Sequence, residues 1–180
     1  MDPETWHHAL MARWWAEFNV ANPTELAYYR GAVERFGQPA LDLACGAGRL
    51  LVPLLAGGLD VDGVDASADM LAHRPKTGRQ AWPRTPRAAD GDELELFTRT
   101  SEFDALAQRR TLEMRIRLWH DGTVMVEEER SICLNLYFAQ ELLLMLDLVG
   151  FRDVTVDGRY TGLAATADEG TVVFVARKPG

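Results

Sequence analysis

A chain of 180 residues and 20.1 kDa is long enough to bury a core without disulfides or metal, and 47% hydrophobic with 26% charged residues is an ordinary globular composition. A net charge of −8 and a pI near 5.0 argue against a partner held mainly through phosphate backbones, so no nucleic acid is expected; the one basic stretch is 74–87. Cys45 and Cys133 stand far apart, and His7, His8, His73 and His120 build no ligand set with them, so no metal is expected and both thiols read as reduced. The first residues are acidic and polar, which predicts no signal peptide, and the apolar runs 50–59 and 142–146 are too short to cross a bilayer. The expected location is the cytoplasm, with no membrane partner.

Along the chain, apolar residues at helical spacing over 4–19 predict a first helix, broken at Asn22-Pro23. Thr24 is placed to cap a second helix that runs to about Phe36, before Gly37 and Pro39. Residues 40–44 (ALDLA) read as a short buried strand, 48–55 as a helix ending at Gly57-Gly58, and 61–64 as a second buried strand. Ser67 then caps a helix from Ala68 to about His73. Strand, glycine turn, helix, strand, helix is the opening of a parallel α/β sheet. Residues 74–92, rich in Pro, Arg, Gly and Asp, read as a linker.

The character then changes. Residues 93–103, 110–119 and 123–134 read as antiparallel strands, the last two joined by an Asp121-Gly122 turn. Clean alternation over 112–118 leaves one face of that sheet wet. A helix over 139–149 and two strands, 153–156 and 171–176, close the chain. The whole is read as one domain over 1–180: helices in 1–38, a βαβα half in 39–73, the linker, antiparallel strands in 93–135, and a closing helix and two strands in 136–180.

The chemistry is concentrated in Leu41-Asp42-Leu43-Ala44-Cys45-Gly46-Ala47-Gly48-Arg49-Leu50. Glycines at 46 and 48 permit a tight strand-to-helix turn, let a ligand approach the backbone, and precede a helix N-terminus that offers free N–H groups. Taken alone, the pattern is equally that of a plain turn. Asp65 sharpens it: it ends the second strand, 17 residues past Gly48, where a carboxylate can accept both hydroxyls of a ribose. The same acid would also favour a following helix start by charge alone.

With both elements in view, ALDLACGAGRLLVPLLAGGLDVDGVDASADML resembles motifs I and II of class I S-adenosylmethionine-dependent methyltransferases, particularly bacterial enzymes acting on small molecules. The tail LNLYFAQELLLMLDLVGFRDVTV with TVVFVARKP is similar to that family's closing helix and last two strands, and 93–134 to an extra sheet that many members carry. The resemblance implies a shortened Rossmann-like α/β fold with an added antiparallel sheet, S-adenosylmethionine as cofactor, S-adenosylhomocysteine as product, and a small-molecule acceptor. It implies that Asp42, Ala44, Gly46 and Gly48, with Cys45 in the same loop, line the methionine end, that Asp65 and the adjoining Ala66 hold the ribose, and that Met70 packs near the adenine. From the residues alone, Met70 is equally a core side chain. Ala44 stands where many members have glycine.

One departure is an absence. Members run the second helix longer and add three more strands with their helices, where this chain has only the linker. A large internal segment is therefore inferred to be missing, whether by nature or by design. Both edges of the first strand pair then lack their usual neighbours, and exposed apolar edges need cover. A homodimer is expected, with exchange of elements between protomers as one route.

No catalytic residue follows from the sequence. A sulfonium methyl is already activated, so alignment and desolvation are the main requirements, and a base is needed only if the acceptor must lose a proton. Tyr137, His120 and Tyr28 are candidate bases, each better explained by packing as amphipathic side chains on strands or helices. Trp14, Trp15 and Phe18 read as a lid over the cofactor or, at helical spacing, as a core-facing stripe. The alternative to an enzyme is a non-catalytic remnant, a dimerising or ligand-binding module. A nicotinamide-dependent oxidoreductase is excluded by the acid inside the strand and the missing third glycine.

Overall fold

The computed structural model describes residues 7–73 and 91–178. Most of the expected linker over 74–92, the basic stretch 74–87 and the first residues of the expected 4–19 helix lie outside them. In chain order the elements are α1 (Ala9–Phe18), α2 (Pro23–Phe36), β1 (Ala40–Leu43), α3 (Leu51–Ala56), β2 (Val61–Val64), α4 (Ala68–Ala72), β3 (Glu93–Asp104), β4 (Arg109–His120), β5 (Thr123–Asn135), α5 (Ala139–Leu148), β6 (Arg152–Gly158) and β7 (Val172–Arg177). They form two compact units, one of α1, β1, α3, β2, α4 and β3 to β5, the other of α2, α5, β6 and β7.

In the first unit, Leu10, Met11, Trp14 and Phe18 recur every three to four residues and so share one stripe of α1. That stripe packs on Leu94, Met114 and Ile116, with Trp15, Leu96, Leu118 and Ile132 around the margin. Trp14 and Phe18 are therefore core residues, as the core-facing reading of their helical spacing has it and not the lid reading: both are buried. The sheet order is β3-β4-β5, all antiparallel, with Leu94 opposite Leu118 and Leu96 opposite Ile116 on the packed face. The other face carries Arg99–Glu113, Arg115–Glu129 and Arg117–Glu127 ion pairs across the strands, as the alternation predicts for a wet surface. Asp121 and Gly122 turn β4 into β5 with φ of +46° and +75°, the two left-handed residues that a tight hairpin of the right twist requires.

β1 and β2 form a separate parallel pair in the register Ala40–Val61 to Leu43–Val64. Both strands are expected to be buried, and here the structure differs. Leu43 is 70% exposed and Leu41 57%, with Val64 also exposed, because no further strand flanks the pair among the described residues. The helix expected from residue 48 begins at Leu51, since 46–50 are spent in turns.

In the second unit, the cap of α2 is Asn22 and not Thr24. The Asn22 Oδ1 accepts the Glu25 N–H at 2.9 Å, and Pro23 takes the first helical position, where its missing N–H costs nothing. β6 and β7 pair antiparallel, and the connection folds back on β6 through Gly158 N–H to Leu163 O and Ala165 N–H to Val156 O, both 2.9 Å. Tyr28 on α2 donates to Asp157 on β6 at 2.7 Å, and the rings of Tyr28, Tyr29 and Tyr160 pack together with centroids 5.6 to 5.9 Å apart. No helix among the described residues is long and apolar enough to cross a membrane.

Candidate functional site

The turn after β1 holds three left-handed residues within five positions: Ala44 (φ +59°), Gly46 (φ +57°) and Gly48 (φ +85°). The parallel ladder continues one bond past the strands, Cys45 N–H donating to Val64 O at 3.1 Å, before the backbone reverses. Gly48 N–H then bonds to Cys45 O at 2.9 Å, and Val52 N–H to Gly48 O at 2.9 Å leads into α3. A side chain at Gly46 would meet nothing within 4 Å, so this turn faces open space, whereas one at Gly48 would press on Val52 Cγ2 at 3.0 Å.

Asp65 faces that turn. Its Oδ2 accepts the Gly46 N–H at 2.8 Å and its Oδ1 accepts the Ser67 N–H at 2.8 Å. Each oxygen is left with a second lone pair. The carboxylate thus fixes the glycine turn to the start of α4 and retains acceptor capacity. Ser67 caps α4 as its sequence position predicts, its hydroxyl accepting the Met70 N–H at 3.2 Å.

Asp42 is half-buried on β1, and burial holds its carboxyl above the ordinary range; the Asp65 charge adds to this and the Arg49 guanidinium opposes it. A half-buried carboxylate of this kind is stabilised by an incoming cation. Cys45 is buried and its thiol is pushed up, chiefly by burial and then by Asp42 and Asp65, which makes it an inert packing residue. Of the remaining expected contacts, Ala44 and Ala66 are exposed beside the turn and the acid. Met70 is only 1% exposed, which leaves it a core side chain with no open face in this structure.

Three features lay outside the sequence reading. Gly63 on β2 has ordinary backbone angles, but a Cβ there would fall 2.4 Å from Leu51 Cδ2 and 3.0 Å from Cys45 Sγ, so glycine is what lets the turn close on the strand. Arg49 brings a cation whose charge acts on Asp42. The chain entering α1 also crosses the start of α4. His7 O accepts from Ser67 Oγ at 2.5 Å, Ala9 N–H donates to Asp69 Oδ2 at 2.8 Å, and His8 Nδ1 lies 3.5 Å from the same oxygen. Only contacts between distant residues reveal these. The spacing of carboxylates Asp65 and Asp69 around a helix start is the one signal the sequence offers.

Two of the three candidate bases are engaged with carboxylates. His120 Nδ1 lies 3.0 Å from Asp92 Oδ1, beside Arg13. Tyr28 donates to Asp157, and burial together with that carboxylate raises its pKa, so it holds its proton. Tyr137 is exposed on the segment before α5. Among the described residues no group of three His, Cys, Asp or Glu could hold a metal ion.

No curated protein matches the sequence. Residues 40–121, from the start of β1 to the β4–β5 turn, match the family described as Methyltransferase domain. Among solved structures the chain is similar to the sugar N-methyltransferase KedS8 from Streptoalloteichus sp, at 14% identity over 96% of this chain and 94% of that one, with a TM-score of 0.65. An S-adenosylmethionine-dependent methyltransferase from Clostridium acetobutylicum is similar at 13% identity over 94% and 98% of the two chains, TM-score 0.58. DesVI from Streptomyces venezuelae is similar at 14% identity over 87% and 93%, also with a TM-score of 0.58. At these identities the likeness is one of fold. Residues 40–121 carry the signature of the methyltransferase domain family, and the chain has the fold of S-adenosylmethionine-dependent methyltransferases.

Proposed function

We propose that the protein binds S-adenosylmethionine in the turn after β1 and transfers its methyl group to a small-molecule acceptor. The observation that carries this reading is Asp65, whose two oxygens hold Gly46 N–H and Ser67 N–H while keeping acceptor lone pairs for a ribose diol. Asp42, half-buried, suits the ammonium of the methionine end. The open space at Gly46 admits the ligand against the backbone. When bound, S-adenosylmethionine supplies an already activated sulfonium methyl. The chain's own residues then need only orient the two reactants and exclude water. The sugar N-methyltransferase among the similar folds supports a small molecule as acceptor.

Three finer points belong to the same reading. The exposed Leu41, Leu43 and Val64 favour a homodimer, with element exchange as one form of it, which sedimentation analysis tests; a monomer at tens of micromolar counts against it. The free thiols Cys45 and Cys133 fit a cytoplasmic location, and the net charge of −8 fits the absence of a nucleic-acid partner. Calorimetric titration with S-adenosylmethionine and S-adenosylhomocysteine tests the main reading. Micromolar binding that Asp65→Ala abolishes is expected; no heat at millimolar ligand would leave a non-catalytic remnant of the fold.

A further inference from the structure

The inner face of the antiparallel sheet is longer than the helix that packs on it. Side chains alternate along a strand, so Arg110 on β4 and Arg130 on β5 lie on the face whose Met114 and Ile116 pack under α1. With 10 residues α1 is about 15 Å long, whereas the 12 residues of β4 extend about 40 Å. Leu10 N–H at the start of α1 meets Glu128 Oε1 at 3.4 Å, and Arg13 meets Asp92 at 3.1 Å. The helix therefore runs from the middle of β5 towards the hairpin end of the sheet. It leaves the other half of the face, beyond Met114, more open. There Phe103, opposite Arg110 on β3, is 62% exposed, and Leu112 and Leu134 are half-buried.

Two cations stand in this apolar half. The Arg110 Nε is buried with no hydrogen-bond partner, and the residues opposite it on the two neighbouring strands, Phe103 and Leu134, are apolar. The Arg130 Nε is likewise buried without a partner, but its other nitrogens donate to Glu129 O at 3.0 Å and lie 3.6 Å from Glu128 Oε2. Arg130 thus shares its charge with Glu128, while Arg110 has no acid across the strands on its face. A desolvated guanidinium donor without an acceptor costs stability that an apolar side chain would not. Its planar fork matches the oxygens of a phosphate or a carboxylate. The start of α1 joins this face to the other side of the unit: next to Leu10, Ala9 N–H donates to Asp69 Oδ2 of α4 at 2.8 Å, and α4 begins at the Asp65 turn. We propose that Arg110 seats an anionic group of the methyl acceptor, a phosphate or a carboxylate, with the acceptor's apolar part on Phe103, Leu112 and Leu134. This rests on the methyl-transfer reading above and adds to it the charge of the acceptor.

The probes are phenyl phosphate, benzoate and the neutral benzyl alcohol, titrated calorimetrically at low salt into the full chain. The wild type is compared with Arg110→Gln, Arg110→Lys and, as a control on the outer face, Arg99→Gln. The wild type is expected to bind at least one of the two anions, and to bind it about tenfold more tightly than benzyl alcohol. Arg110→Gln should weaken that anion about tenfold, with Arg110→Lys in between and Arg99→Gln within about twofold of the wild type. Phenyl phosphate as the tighter ligand assigns the anion as a phosphate, benzoate as a carboxylate. No heat from either anion, or one affinity shared by the wild type and Arg110→Gln, overturns the proposal. The Arg110 Nε–H resonance, identified by its loss in Arg110→Lys, supplies a readout that a merely structural role does not move. It is expected to shift on adding the tighter anion; a signal unmoved at saturation overturns the proposal even where the variants bind more weakly. S-adenosylhomocysteine titrated into the same wild type separates the two readings. Binding of it without either anion removes this seat alone, whereas binding of an anion through Arg110 without it keeps the seat and removes the methyl-transfer reading.

Discussion

In the parallel pair β1–β2, Leu41, Leu43 and Val64 stand half or more exposed, while in the antiparallel sheet of the same unit Leu94 and Ile116 are wholly buried under α1. One region is thinly packed and holds the glycine turn with its carboxylates; the other has the apolar core and, on its outer face, a run of cross-strand ion pairs. The difference is informative about what each region is for. Burial of apolar area is what stabilises the antiparallel sheet. The turn is held instead by polar ties, from Asp65 to Gly46 and Ser67 and from Ser67 to His7, which leave backbone and acceptor groups open. Loss of an apolar side chain is therefore expected to matter in the antiparallel sheet and hardly at all on the exposed parallel pair.

The largest effect is expected at Ile116. Ile116→Ala opens a cavity under α1 and should cost about 2–5 kcal/mol, whereas Leu43→Ala, at an exposed strand position, should stay within about 0.5 kcal/mol. Denaturant unfolding of the two variants makes the comparison; equal losses would erase it. Next comes Gly63→Ala, where the added methyl meets Leu51 and Cys45. A loss of about 1–3 kcal/mol is expected in the same assay, and a neutral outcome would mean that the turn packs on β2 less closely than described.

Ala44→Gly should act in the other direction. Ala44 carries a Cβ at φ +59°, and replacing it by glycine relieves about 1 kcal/mol of left-handed strain, less the added freedom of the unfolded chain. A rise in melting temperature is expected; a fall would show that the methyl packs usefully. The smallest effect concerns pH. Burial raises the Asp42 pKa in the fold, so the native chain keeps that proton when the unfolded chain has lost it. Its contribution is complete below the ordinary carboxylate pKa and is lost as pH rises through the raised one. Asp42→Asn should lack that loss, melting slightly higher than the wild type at neutral pH while binding S-adenosylmethionine more weakly. A variant that melts lower at neutral pH would contradict the assigned burial effect.

What the sequence made legible was local. Asp121-Gly122 demands two left-handed residues and so announced the hairpin; Ser67 announced its cap; the strand–turn–strand order around Gly46, Gly48 and Asp65 announced the parallel pair. The cap at Asn22 was displaced to Thr24 because Pro23 reads as a break when it is in fact the first helical residue. The exposure of β1 was not legible, since apolar composition does not reveal which neighbours a strand has. Nor was the role of Gly63, which depends on Leu51 and Cys45 folding over it, or the crossing of the α1 entry over α4, which joins residues about sixty positions apart. The core-facing stripe was legible in the helical spacing of Trp14 and Phe18, but the sheet it meets was not.

The account depends most on Asp65 accepting a ribose diol with the lone pairs that Gly46 and Ser67 leave free. The direct measurement compares S-adenosylhomocysteine with its 2′,3′-dideoxy analogue, each titrated into the wild type and into Asp65→Asn. The wild type is expected to prefer the diol by at least about tenfold, and the variant to bind both ligands weakly and alike. A wild type that does not distinguish the two, or a variant that keeps the full preference, would contradict it.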